Sequence, residues 1–273
     1  MSVRATLAGT RADGRAALVG YLPAGFPTVE GSIAVLAAMV AAGVDVVEVG
    51  LPYSDPVMDG PTIQRATETA LAGGTRTADT LRVVEAVAAT GVPALVMTYW
   101  NPVERYGVDR FAQDLADAGG AGLITPDLIP DEAGDWMAAA DRHDLDRVFL
   151  VAPSSTQERI AMTVAACRGF VYATAVMGVT GAREATSTDA PVLVARTRAA
   201  TGTAGLPVGV GLGVTNGAQA AEVAAFADAV IVGSAFVAPL LERRGDQAAG
   251  IAAVTRLTRD LAAGVRGAGS AGR

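Results

Sequence analysis

Short runs of β-branched and other apolar residues recur along the chain, and between them lie Ala-rich stretches with helical periodicity. The runs predict strands at Leu18–Leu22, Val44–Leu51, Ala94–Tyr99, Gly122–Thr125, Val148–Ala152, Phe170–Thr174, Val208–Gly211 and Ala229–Gly233. Candidate helices include Val29–Ala42, Thr77–Ala89, Asp109–Ala118, Asp131–Arg142, Gln157–Cys167 and Gly217–Phe226. Near-continuous apolar strands indicate parallel strands buried on both faces. Eight such strands, each followed by a candidate helix, give the rhythm of an α/β protein with a (β/α)8 TIM barrel. Alternation alone also fits a doubly wound sheet, and length favours the barrel.

Two connections exceed a minimal strand-to-helix turn. Pro52–Pro61 is followed by an extra helix-like segment, Thr62–Leu71, and Val176–Thr188 is rich in Gly and small residues. In a barrel both lie at the C-terminal face, where long loops are usually functional. The whole chain, residues 1–273, reads as a single domain without a linker. Residues 1–17 form an N-terminal segment, and the Gly/Ala/Ser-rich 264–273 reads as a disordered tail.

Composition narrows the partners. The 273 residues are 51% hydrophobic and 18% charged, enough for one large core. A net charge of −7 argues against nucleic acid and anionic membrane surfaces. The longest apolar stretch, Ile33–Val44, is too short to span a bilayer, and the N-terminus lacks the apolar run of a secretory signal. A single Cys and no metal-spaced Cys/His cluster suit a reducing cytoplasm.

The chemistry concentrates in VDVVEVGLPYSDPVMDG, residues 44–60. Glu48 sits inside an apolar strand, where ionisation is costly unless its head group reaches a polar cavity or stays neutral. By the period of two, Val46, Glu48 and Gly50 share one face. A strand carboxylate paired with a buried Arg is the structural alternative. Asp59, before Gly60-Pro61, is either a second catalytic carboxylate or a turn and helix-capping residue. Late glycines in PVGVGLGVTNG and AVIVGSAFV end two consecutive strands, and Gly233-Ser234 opens a helix, the arrangement in which barrels bind phosphate. Close packing alone also places Gly there. No Lys lies near a strand end, which leaves acid–base chemistry rather than a Schiff base.

The chain resembles the tryptophan synthase α subunit family. The resemblance is carried by GYLPAGFPT (20–28), VEVGLPYSDPVMDGPTIQRA (47–66), MTYWNP (97–102), LITPDLIPDE (123–132), MGVTGAR (177–183), GVGLGV (209–214) and VIVGSAF (230–236). It implies a carbon–carbon lyase of tryptophan biosynthesis that cleaves indole-3-glycerol phosphate to indole and glyceraldehyde 3-phosphate without a cofactor. It further implies that Glu48 and Asp59 are catalytic, and that Tyr21, Tyr99, Leu150 and Tyr172 line the indole and glycerol pocket. Thr180 and Gly181 match the loop after the sixth strand, while Gly181, Gly211, Gly213, Gly233 and Ser234 match the phosphate site. Leu212 falls at a further substrate-binding position, where the family usually has Phe, and Met58 replaces a commonly small residue beside Asp59. The surface around Pro52, Asp55 and Pro56 is expected to meet a β subunit carrying pyridoxal phosphate, in a heterotetramer of two α and two β subunits. Residues 1–17 read poorly as the family's leading helix. Competing readings are a free-standing indole-releasing lyase, another phosphate-binding barrel isomerase, and a non-enzymatic subunit that only activates its partner.

Overall fold

A computed structural model describes residues 2–174, 189–202 and 205–268. Strands within them are β1 Ala17–Pro23, β2 Val46–Gly50, β3 Ala94–Met97, β4 Gly122–Ile124, β5 Asp146–Val148, β6 Leu150–Val151, β7 Val171–Thr174, β8 Val208–Gly211 and β9 Ala229–Val232. Helices are α1 Val3–Ala12, α2 Val29–Ala42, α3 Pro61–Ala72, α4 Thr77–Ala88, α5 Trp100–Tyr106, α6 Val108–Asp117 and α7 Gly134–Arg142. They continue with α8 Gln157–Ala166, α9 Asp189–Thr201, α10 Gly217–Ala224, α11 Ser234–Glu242 and α12 Gln247–Gly267.

All ladder pairs are parallel, in the order β5-β4-β3-β2-β1-β9-β8-β7-β6. The two ends of that order, β5 and β6, are successive pieces of one strand separated by Phe149. The Phe149 carbonyl accepts the Tyr172 N–H at 3.1 Å, so the sheet closes into an eight-stranded TIM barrel. The single fifth strand expected over Val148–Ala152 is thus split and begins two residues earlier. Helices α5 and α9, absent from the expected set, lie after β3 and β7, and the helix expected to open at Ser234 is α11 after β9.

Burial separates the two faces of each strand. Val47, Val49, Val96 and Val210 belong to the layer between sheet and helices, while Val19, Val46, Leu95, Ile124, Phe170 and Ile231 form a second cluster inside the barrel. Val46 facing inward confirms the face assigned to Glu48. Side chains at the helix starts take up free N–H groups. Thr28 accepts from Gly31 at 3.0 Å, Asn216 from Gln219 at 3.0 Å and Asp246 from Ala249 at 2.9 Å.

The N-terminal segment differs from expectation. Residues 3–12 form α1, with Ser2 accepting the Ala5 N–H at 3.2 Å, and Val3 and Leu7 join the inner cluster as a plug. Its short apolar stripe hides the helix in sequence, because only two side chains are needed to seal the barrel. The tail also needs correction. Helix α12 runs through Gly267 with Val265 1% exposed, so residues 264–267 are ordered by that buried contact. Residues 269–273 lie outside the described residues.

Leu7 is 2% exposed, and truncating it leaves a void that the strand floor cannot collapse to fill. We expect Leu7→Ala to lower stability by about 2–5 kcal/mol in urea unfolding. A loss under about 0.5 kcal/mol would show that α1 is dispensable.

Candidate active site

At the C-terminal end of the barrel a cavity opens among Tyr21, Glu48, Asp59, Tyr99, Leu150 and Tyr172, with Gly211, Gly213, Gly233 and Ser234 on another wall. Those ten residues include both proposed carboxylates and all four proposed pocket aromatics and aliphatics. Thr180 and Gly181, and with them the loop 176–188, lie outside the described residues. Leu212 does not line the cavity. It is 5% exposed and packs in the outer core layer, because it follows Gly211 on the opposite face.

Glu48 projects into the barrel from β2 and is 1% exposed, with Oε1 making no hydrogen bond among the described residues. No ion pair to Glu48 exists among them either, which removes the buried-Arg alternative. Burial is what raises its pKa, from 4.5 to about 8. The carboxyl is therefore protonated at neutral pH and able to give up its proton there.

Asp59 is held differently. Gly60, not Asp59, stands at the N-cap of α3, and no side chain among the described residues caps that helix. The Asp59 carboxylate instead accepts the Tyr99 hydroxyl at 3.1 Å, and Tyr99 in turn accepts the Met58 N–H at 2.9 Å. Gln64 Nε2 donates to the Asp59 carbonyl at 2.7 Å. The capping alternative thus fails, because the side chain points to the cavity. Burial raises its pKa, and the Tyr99 hydrogen bond partly offsets that rise. Tyr99 itself is pushed up to about 12, chiefly by burial, so it stays a donor.

Further lining residues escape sequence reasoning. Ile63 and Thr67 come from the same face of α3, four residues apart, and Tyr53 stacks on Tyr99 with ring centroids 5.5 Å apart. The four-residue spacing is visible in sequence, but which face of α3 meets the cavity is not. On the phosphate wall, α11 begins at Ser234 with no side chain capping its first turn, leaving N–H groups at its start for an anion. Gly213 has φ +72°, a conformation that favours Gly. Gly211 carries a packing demand as well, since a Cβ there would lie 2.5 Å from Tyr172 Oη. Among the described residues no group of three or more His, Cys, Asp or Glu is placed to hold a metal ion. No helix among them is long and apolar enough to cross a membrane.

Comparison with known proteins agrees with this geometry. The family model described as tryptophan synthase alpha chain matches residues 7–266. The chain is 69% identical to the tryptophan synthase alpha chain of Salinispora arenicola over 256 residues, 94% of each chain. It is 65% identical to that of Acidothermus cellulolyticus, over the same share of each. Among solved structures, a chain of Mycobacterium tuberculosis tryptophan synthase superposes with a TM-score of 0.90 and 59% identity, covering 97% of this chain and 98% of that one. Tryptophan synthase subunit alpha from Legionella pneumophila gives a TM-score of 0.87 at 32% identity, covering 99% of both.

Burial of Glu48 has a pH-dependent consequence. Below about pH 4.5 folded and unfolded chains both hold its proton, and burial carries no ionisation penalty. As pH rises toward 8 only the unfolded chain ionises, so stability falls, by about 1.4 kcal/mol for each pH unit of displacement. Glu48→Gln should therefore gain on the wild type between pH 5 and 8, by several kcal/mol at most. Urea unfolding of both proteins at the two pH values checks this, and a constant difference would contradict a raised pKa.

Proposed function

Given that the chain belongs to the tryptophan synthase alpha chain family, we propose that Glu48 and Asp59 carry the family's reaction in this protein. That reaction cleaves indole-3-glycerol phosphate to indole and glyceraldehyde 3-phosphate. The observation that carries the assignment is the Glu48 carboxyl, buried with its Oε1 unpartnered among the described residues, yet lining the same cavity as the Tyr99-held Asp59.

The bond between indole C3 and the glycerol chain breaks only when its electron pair has a sink. Protonation of C3 supplies one by making the ring an indoleninium cation. Glu48, neutral at the start, donates that proton. Its carboxylate then removes the proton from the hydroxyl on the adjacent carbon, which becomes the aldehyde, and the electron pair of the broken bond restores the ring. Glu48 ends the cycle protonated, as it began. Asp59 faces the ring nitrogen, where it stabilises the positive charge or accepts the nitrogen's proton. Gly213, Gly233 and the start of α11 hold the phosphate through backbone N–H groups, which suits a chain of net charge −7. The chemistry calls for no cofactor in this subunit, and pyridoxal phosphate belongs to the β partner.

The β subunit meets the C-terminal face and receives the indole. Val57, 77% exposed beside exposed Asp55 and half-buried Pro56, offers apolar surface in that loop. Pro52 is buried within this chain and contributes little surface of its own. A cytoplasmic setting fits the biosynthetic role.

Glu48→Gln should lower kcat for indole release by about 10²–10⁴-fold, and Asp59→Asn should also be severe. Wild-type kcat/KM should fall as pH rises through about 8, as Glu48 loses its proton. Either variant retaining more than about a tenth of wild-type kcat would overturn its assignment.

For the phosphate wall, Gly233→Ala is the informative change. Its new Cβ would find its nearest neighbour, Tyr21 Cδ1, at an ordinary 3.6 Å, so packing admits it. KM should rise roughly tenfold, about 1.4 kcal/mol of lost binding. Equal kcat/KM for the substrate and its dephosphorylated form would show that the phosphate is held elsewhere.

A further inference from the structure

Two tyrosines repeat one geometric device inside the barrel. In the β1–β2 register Tyr21 lies opposite Glu48, and in the β7–β8 register Tyr172 lies opposite Gly209. Each ring leans onto the following strand and covers the residue two places further along it. A Cβ on Gly50 would stand 2.4 Å from Tyr21 Oη, just as one on Gly211 would stand 2.5 Å from Tyr172 Oη. The glycines exist there because a phenol occupies the space of their side chains. Alternation on β2 puts Gly50 on the same face as Glu48, one inward position nearer the cavity mouth. The Tyr21 hydroxyl is therefore held over Gly50, one inward position beyond Glu48, on the wall of the cavity that both residues line.

That hydroxyl makes no hydrogen bond among the described residues, although the residue lines the cavity. Burial, then the charges of Asp59 and of Glu48, push the Tyr21 phenol well above its ordinary pKa. It is thus a permanent donor, lying within the fields of both carboxylates. Tyr172 senses Glu48 but not Asp59, and its strand stands four places from β2 in the barrel order. Phe at position 21 would keep the ring's contacts, with carbons 2.7 Å from a Gly50 Cβ position, and would lose only the hydroxyl.

Resting on the roles of Glu48 and Asp59 given above, we propose that Tyr21 is a third catalytic residue, whose hydroxyl donates a hydrogen bond to the substrate oxygen that becomes the aldehyde. The atoms balance without any net transfer to Tyr21. The hydroxyl proton of the substrate goes to the Glu48 carboxylate, the carbon–carbon bond pair returns to the indole ring, and the oxygen closes to a carbonyl. Between those states the oxygen carries alkoxide character, and Tyr21 stabilises it while keeping its own proton. A donor aimed at developing negative charge is worth more in the transition state than in the ground state, so its loss falls on kcat rather than on KM.

The test is Tyr21→Phe, assayed with the β subunit present, together with an indole-3-alkyl phosphate of the same length that lacks the glycerol hydroxyls. We expect kcat to fall about 10–100-fold, with KM changed less than about twofold and melting temperature preserved. The hydroxyl-free analogue should bind both proteins with equal Kd, since it lacks the oxygen that Tyr21 contacts. A kcat within about twofold of wild type, or analogue binding weakened along with kcat, would overturn the proposal. Indole release by the wild type is the control. Its absence would remove the lyase roles of Glu48 and Asp59, whereas normal release with an unaffected Tyr21→Phe removes Tyr21 alone.

Discussion

A carboxyl group buried in a barrel of apolar strands, without a cation among the described residues to neutralise it, is the constraint around which this structure is arranged. Glu48 is 1% exposed and its Oε1 has no hydrogen-bond partner among the described residues. Such a group persists only by keeping its proton, and burial supplies the reason by raising its pKa to about 8. The same desolvation that penalises the ionised form makes the neutral form a usable acid near physiological pH. Stability is given up at the point where the proposed chemistry needs it.

Two carboxylates at the opposite end of the barrel are held in the other way. Asp45, before β2, takes two hydrogen bonds from Arg15 at 2.9 Å each and one from the Leu18 N–H at 2.8 Å. Asp228, before β9, accepts the Val208 N–H at 2.9 Å and lies 3.2 Å from Arg198. These acids tie strand starts together and have their charges compensated. Parallel strands give the barrel this polarity: all eight begin on one face, where pairing favours stability, and end on the other, where loops and helix starts surround a cavity. Glu48 and Asp45 are three residues apart in sequence and serve opposite ends.

Space inside the cavity is set by pairs rather than by single residues. Gly50 and Tyr21, and Gly211 and Tyr172, each form a unit in which the absence of a side chain admits a ring. Gly211 thus answers to packing as well as to any anion, and the glycine-rich strand end combines both demands. Tyr99 plays a comparable double part, since one hydroxyl accepts the Met58 N–H and donates a hydrogen bond to Asp59, fixing the loop and its carboxylate together.

The eight-strand rhythm, the inward face of β2, the helix opening at Ser234 and the burial of an ionisable Glu48 are all legible in the sequence, because period-two alternation and an acid inside an apolar run are local properties. The resemblance carried by residues 47–66 extended that reading to substrate and partner. What the sequence left open were choices between local and long-range partners. Whether Asp59 caps α3 or faces the cavity depends on Tyr99, forty residues away, and whether Glu48 meets an Arg depends on strands that share no sequence neighbourhood with β2. The α1 plug stayed hidden because two apolar residues suffice to seal a barrel floor whose existence the helix cannot announce. Leu212 looked like a pocket residue beside two that are, but the pleat turned it outward into the core. Local periodicity determined the elements, and only closure of the barrel decided which side chains would meet.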